Sequence, residues 1–137
     1  MQSFLQRLCC LFILLGANTY GSTLLVLGDS LSAGYGVNQG SGWVALLRAD
    51  LGDGHTIING SISGDTTGGG LYRLPLLLKE HSPDYVLLEL GGNDGLRGQP
   101  VALMKVNLRA MIDLVRQAGA ASSTAAWTQG PKRPPSH

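Results

Sequence analysis

The sequence predicts an α/β domain built on a parallel sheet, and two observations lead there. Short apolar stretches recur at Thr23–Leu27, His55–Asn59 and Asp84–Leu90, as strands buried on both faces require. Segments with helical spacing of apolar residues follow each of them. The order therefore reads β-α-β-α-β-α, which calls for right-handed crossovers and parallel pairing.

Each element has its own signal. Thr23 to Leu27 is an uninterrupted apolar run. Trp43, Val44, Leu46, Leu47 and Leu51 make a helical face over Ser41–Leu51, with Ser41 as N-cap and Gly52 or Gly54 as the stop. His55–Asn59 is the second strand. Leu71, Leu74, Leu77 and Leu78 mark a helix over Gly68–His81, which Pro75 is expected to shorten or kink. Asp84–Leu90 is the third strand. Leu103, Val106, Leu108, Met111, Ile112 and Val115 form an amphipathic face that ends before Gly119.

A fourth apolar strand is then due, but residues 120–137 are small, polar and Pro-rich. Such a stretch is expected not to bury a strand. That leaves strand three as an exposed apolar edge. Three explanations fit the tail: a frameshift, a natural disordered tail, or a gene fragment. One legal back-translation of Ser122–Trp127, read one base later, encodes Ala-Val-Leu-Leu-Leu-Gly. The codons are chosen, so this shows compatibility only.

The 137 residues allow one domain, bounded here as 22–119. A net charge of +1 with 14% charged residues provides no basic face for nucleic acid or anionic membrane. Residues 1–21 read as a cleavable signal peptide. Arg7 supplies the positive charge, Leu8–Leu15 the apolar segment, and Thr19-Tyr20-Gly21 the cleavage region. The apolar segment is too short to span a membrane comfortably, and an uncleaved anchor is the alternative. Export to the periplasm or beyond follows from the signal. Cys9 and Cys10 both lie inside it, so the mature chain would carry no thiol and no disulfide.

Three motifs each sit at the end of a predicted strand: Gly28-Asp29-Ser30-Leu31, Asn59-Gly60-Ser61-Ile62-Ser63-Gly64-Asp65-Thr66, and Glu89-Leu90-Gly91-Gly92-Asn93-Asp94. In a parallel α/β sheet, sites gather at the carboxyl ends of the strands, where the strand order reverses. Ser30 is the candidate nucleophile, although Asp-Ser after a strand can equally cap the next helix. A serine hydroxyl needs a base and an oxyanion hole to act. Ser32 stands where a Gly-x-Ser-x-Gly elbow would have its second glycine. Gly64 would let a backbone N–H approach a substrate oxygen without a Cβ in the way. Gly68-Gly69-Gly70 lacks the Gly-Lys-Ser/Thr ending of a phosphate loop. The sequon Asn59-Gly60-Ser61 lies at a strand end beside the site and is discounted. No His/Asp/Glu cluster has metal-ligand spacing, so neither metal nor cofactor is expected.

Together, in this order, the three motifs resemble the SGNH (GDSL) hydrolase family. The resemblance covers about Thr23 to Gly119. It implies a flavodoxin-like three-layer α/β/α fold with strand order 2-1-3-4-5, of which strands one to three are present. It also implies hydrolysis of carboxylic esters and acyl thioesters through an acyl-Ser30 intermediate, of the acyl-CoA thioesterase, lysophospholipase and arylesterase type. Gly64 and Asn93 would be the oxyanion donors beside the Ser30 N–H. Leu74–Pro83 takes the position of a loop that contacts the acyl chain, although its leucines suit the core equally well.

The family's Asp-x-x-His motif occurs nowhere in the chain. His55 opens a strand at the end away from the site, His81 closes a helix, and His137 ends the tail. None takes the family's role. Asp29, Asp65 and Asp94 cannot replace a histidine by motif alone, and Asp65 and Asp94 are expected to scaffold loops. Little or no turnover is therefore expected of the chain itself. The alternatives are a non-catalytic fragment, an acyl-binding remnant, or an exported binding module.

Overall fold

The computed structural model describes residues 21–124. Residues 1–20 of the signal peptide expected over 1–21, and most of the tail, lie outside the described residues. The elements are β1 (Thr23–Gly28), α1 (Ser30–Ala33), α2 (Trp43–Leu51), β2 (Thr56–Asn59), α3 (Thr67–His81), β3 (Tyr85–Glu89), α4 (Gly92–Leu96), α5 (Val101–Gln117) and β4 (Ala121–Thr124). The strands form one parallel sheet in the order β2-β1-β3-β4. That is the order the resemblance implies, as far as the strands go.

Alternate residues of β1 face opposite layers. Leu25 and Leu27 join Leu74 of α3, Val86 and Leu88 of β3, and Met111 and Val115 of α5 in the larger core. Val26 packs with Val44 of α2 and Ile57 of β2 on the other face. Helices thus cover both faces of the sheet, the arrangement that demands apolar residues all along its central strands. Residues 25–27 of β1 are fully buried.

The expectation of three strands needs correction. Residues 121–124 form β4, parallel to β3, with Tyr85–Leu88 opposite Ala121–Thr124. A ladder is made by main-chain groups, which Ala, Ser and Thr supply as well as Val or Leu. At the sheet edge β4 buries little of its side chains, with Ala121, Ser123 and Thr124 exposed and Ser122 half-buried, so it needs no apolar run. Consequently β3 is not the edge, and the described edge strand bears small and hydroxyl side chains. Its four described residues make a short edge, which limits pairing with other chains.

Smaller departures have local causes. The N-cap of α2 is Gly42, because Ser41 is spent in a turn, its N–H donating to the Asn38 carbonyl at 2.9 Å. His55 falls just before β2, after a 3-10 turn over Gly52–Gly54. α3 runs through Pro75 to His81 rather than ending there. Among the described residues, no helix is long and apolar enough to cross a membrane.

Leu74, fully buried between α3 and the sheet, reports on the larger core. Leu74→Ala should lower unfolding free energy by about 2–5 kcal/mol. A urea titration checks this, with the midpoint falling and the slope unchanged.

Candidate active site

The three motifs leave β1, β2 and β3 at their carboxyl ends and meet there. Asp29, between β1 and α1, accepts the Leu31 N–H on Oδ1 at 3.0 Å and so caps α1. The capping reading thus belongs to Asp29, and Ser30 is the first residue of the helix. α1 is tied down on two sides. Asn59, at the end of β2, donates from Nδ2 to the Ser32 carbonyl at 2.8 Å. Ser32 Oγ donates to Glu89 Oε2, at the end of β3, at 2.8 Å.

The segment after β2 turns back over β1. Gly60 N–H donates to the Val26 carbonyl at 2.8 Å and Ile62 N–H to the Gly28 carbonyl at 3.0 Å. Gly64 has φ +81°, a left-handed conformation that side-chain-bearing residues adopt only at a cost. Thr66 then caps α3 by accepting the Gly69 N–H on its hydroxyl.

Asn93 joins the pieces. Its Nδ2 donates to the Asp65 carbonyl at 2.8 Å and to Asp29 Oδ2 at 3.3 Å. One amide thus sits beside the neighbours of both Ser30 and Gly64. Asp94, buried, accepts the Thr67 N–H at 2.8 Å and the Thr67 hydroxyl at 2.5 Å. That anchors α4 to the start of α3. Asp65 accepts from Arg73 and from its own neighbour Thr66. The two aspartates expected to be scaffolding have scaffolding partners.

Among the described residues, the Ser30 hydroxyl, the Ser30 N–H and the Gly64 N–H have no hydrogen-bond partner. A cavity of about 570 Å³ opens beside Asp29 and Leu31, lined by Leu88, Leu90, Met104, Leu108 and Ile112. Leu74–Pro83, the expected acyl-contacting loop, is instead the second half of α3 and its exit. Leu74, Leu77 and Leu78 pack into the core, because α3 runs antiparallel to the strands and carries this half away from Ser30.

The histidines fall where the sequence indicates. His55 lies at the amino end of β2, its Nδ1 2.9 Å from Ser22 Oγ. His81 ends α3, 3.9 Å from Glu80. Both are at the opposite end of the sheet from Ser30. His137 lies outside the described residues. Among the described residues, no three His, Cys, Asp or Glu side chains are placed to hold a metal ion.

Sequence reasoning assigned no role to Ser32, Glu89 or Arg73. Glu89 carried a usable signal, being a carboxylate inside an apolar strand, where charge is rare unless partnered. Burial pushes its carboxyl above the ordinary 4.5. The hydrogen bond from Ser32 opposes the rise and the charge of Asp29 adds to it. The folded state therefore holds this proton more tightly than the unfolded chain. Stability should fall as pH climbs from 4.5 through the raised value, and stay lower above it. Glu89→Gln lacks that titration. Thermal melts between about pH 4 and pH 7 should show it gaining on the unmodified chain as pH rises. A constant gap would show that Glu89 is not the group responsible.

Comparison with known proteins agrees with this geometry. Residues 26–136 match the model of the GDSL-like Lipase/Acylhydrolase family. An arylesterase of Vibrio mimicus is 53% identical over 119 residues, 85% of this chain and 60% of that protein. The thioesterase 1/protease 1/lysophospholipase L1 of Escherichia coli (strain K12) is 51% identical over 98 residues, 72% of this chain and 47% of that protein. The crystal structure of TesA superposes with a TM-score of 0.71 at 51% identity, over 74% of this chain and 58% of that one. The chain thus spans about half to three-fifths of the relatives it matches. A family match over most of its length, and relatives at about half identity, show that the chain belongs to the GDSL-like lipase/acylhydrolase family.

Proposed function

We propose that this chain is the nucleophile-bearing part of a serine hydrolase of carboxylic esters and acyl thioesters, with acyl-CoA, lysophospholipid or aryl esters as substrates. The supporting observation is the cluster around Asn93. Its amide bridges the neighbours of Ser30 and Gly64, while the hydroxyl and N–H groups that the chemistry needs stay uncommitted among the described residues. Ser30 Oγ would attack the acyl carbonyl. The N–H groups of Ser30 and Gly64 would receive the oxyanion, with the Asn93 amide as third donor. The longer bond from Asn93 to Asp29, 3.3 Å, is the weaker of its two and the one a substrate oxygen would take over. Release of thiol or alcohol leaves an acyl-Ser30 ester, which water then cleaves.

The family's Asp-x-x-His, whose imidazole would take the Ser30 proton, does not occur among these 137 residues. His55 and His81 stand at the far end of the sheet. That position favours a second reading, in which the chain alone is an acyl-binding remnant without turnover. The apolar N-terminus with Arg7 supports export to the periplasm or beyond in either case.

Hydrolysis of p-nitrophenyl butyrate and palmitoyl-CoA tests the proposal. The chain alone should run about a million-fold below a complete serine triad. Joined to the part of the Vibrio mimicus arylesterase beyond the matched region, it should gain turnover that Ser30→Ala abolishes. Equal turnover in the joined Ser30→Ala protein would overturn the assignment.

A further inference from the structure

We infer that Arg73 is a positioning residue for the oxyanion donors, an inference that rests on the reading of Ser30, Gly64 and Asn93 above. Arg73 lies on the second turn of α3 and reaches back to the segment that precedes its own helix. Its Nη1 donates to the Gly60 carbonyl at 2.7 Å. Its Nε and Nη2 donate to Asp65 Oδ2 at 3.1 and 2.6 Å. One planar guanidinium thus grips both ends of the turn from Gly60 to Asp65, and Gly64 lies within that turn.

The turn has other holds, with the Ile62 N–H on the Gly28 carbonyl at 3.0 Å and Arg97 Nη2 on the Gly64 carbonyl at 3.0 Å, but Arg73 is the side chain that ties its two ends together. Gly60 is also bonded to β1 through Val26. The Asp65 carbonyl receives the Asn93 amide at 2.8 Å, so Asp65 couples Arg73 to the second proposed donor as well. The pair is mostly shielded, with side chains 23% and 11% exposed for Arg73 and Asp65. There a charge-assisted, geometrically fixed contact holds position better than at the surface. Room for the carboxylate is built in. A Cβ on Gly69 would stand 1.9 Å from Asp65 Oδ1, so a side chain at 69 would evict it.

Lysine cannot reproduce the grip, because a single ammonium lacks the planar fork that meets Gly60 and Asp65 together. The role therefore separates from charge. A displaced Gly64 N–H weakens stabilisation of the transition state more than binding of the ground state, so kcat should fall and KM hold.

The 137-residue chain itself is the test material. Sites that lack a triad member keep a residual rate of about a thousand- to ten-thousand-fold over water from the oxyanion hole and binding. That residual cleavage of p-nitrophenyl acetate would be measured for the unmodified chain, Asn93→Ala, Arg73→Ala and Arg73→Lys, beside thermal melts and the Gly64 amide NMR resonance. The expected result is a fall in kcat of about ten- to a hundredfold in Arg73→Lys, with KM kept and the Gly64 resonance shifted. Arg73→Lys carries the decision if Arg73→Ala fails to fold. Unchanged kcat and an unmoved Gly64 resonance in Arg73→Lys, with Asn93→Ala impaired, would overturn the role of Arg73. An unimpaired Asn93→Ala would instead overturn the reading of the site, and the inference with it.

Discussion

The pairing of β1 with a parallel neighbour on each side is the constraint from which the site follows. Val26 lies opposite Asn59, and Gly28 opposite Glu89. β2, β1 and β3 therefore reach their carboxyl ends at nearly one level, and each motif follows the end of its strand. The register is held because residues 24–27 of β1 alternate between two apolar layers. A slip by one residue would exchange the two faces. Convergence of residues some thirty positions apart is thus a property of the sheet before any polar contact forms.

Polar contacts then convert proximity into geometry. Asn59 and Glu89, at the ends of the strands flanking β1, hold α1 from its two sides through Ser32. Asn93 bridges Asp29 and Asp65, and Asp94 secures Thr67. Buried or half-buried polar groups without partners are costly, so these side chains have one arrangement that satisfies them together. Among the described residues, the uncommitted groups include the Ser30 hydroxyl, the N–H groups of Ser30 and Gly64, and the buried Ser61 hydroxyl. A site preorganised around free donors needs little rearrangement when charge develops on a substrate oxygen.

Much of this was legible in the chain. The apolar runs at Thr23–Leu27 and Asp84–Leu90 and the leucine spacing of α3 and α5 announce a parallel α/β sheet, since burial on both faces leaves little room for polar residues. The short helices α1 and α4 were not legible. At four and five residues they are shorter than the helical repeat needs to show a face, and they exist because Asp29 and the turn at Gly91 start them. Nor was β4, because pairing at a sheet edge draws on main-chain groups, and Ala-Ser-Ser-Thr carries no apolar signature.

The chain's own pattern is enough for the order of β1–β3 and of the longer helices α2, α3 and α5, for the three motifs at their strand ends, and for the placement of His55 and His81 away from them. Those follow from local chemistry and from topology, which apolar periodicity encodes directly. Which side chains hold the motifs in place emerges only once the layers pack. That Asp29 rather than Ser30 caps α1, that Glu89 takes the Ser32 hydroxyl, and that Arg73 closes on Asp65 and Gly60 all depend on atoms within hydrogen-bond reach. Distances of that kind are fixed by packing between layers, and no spacing along the chain carries them.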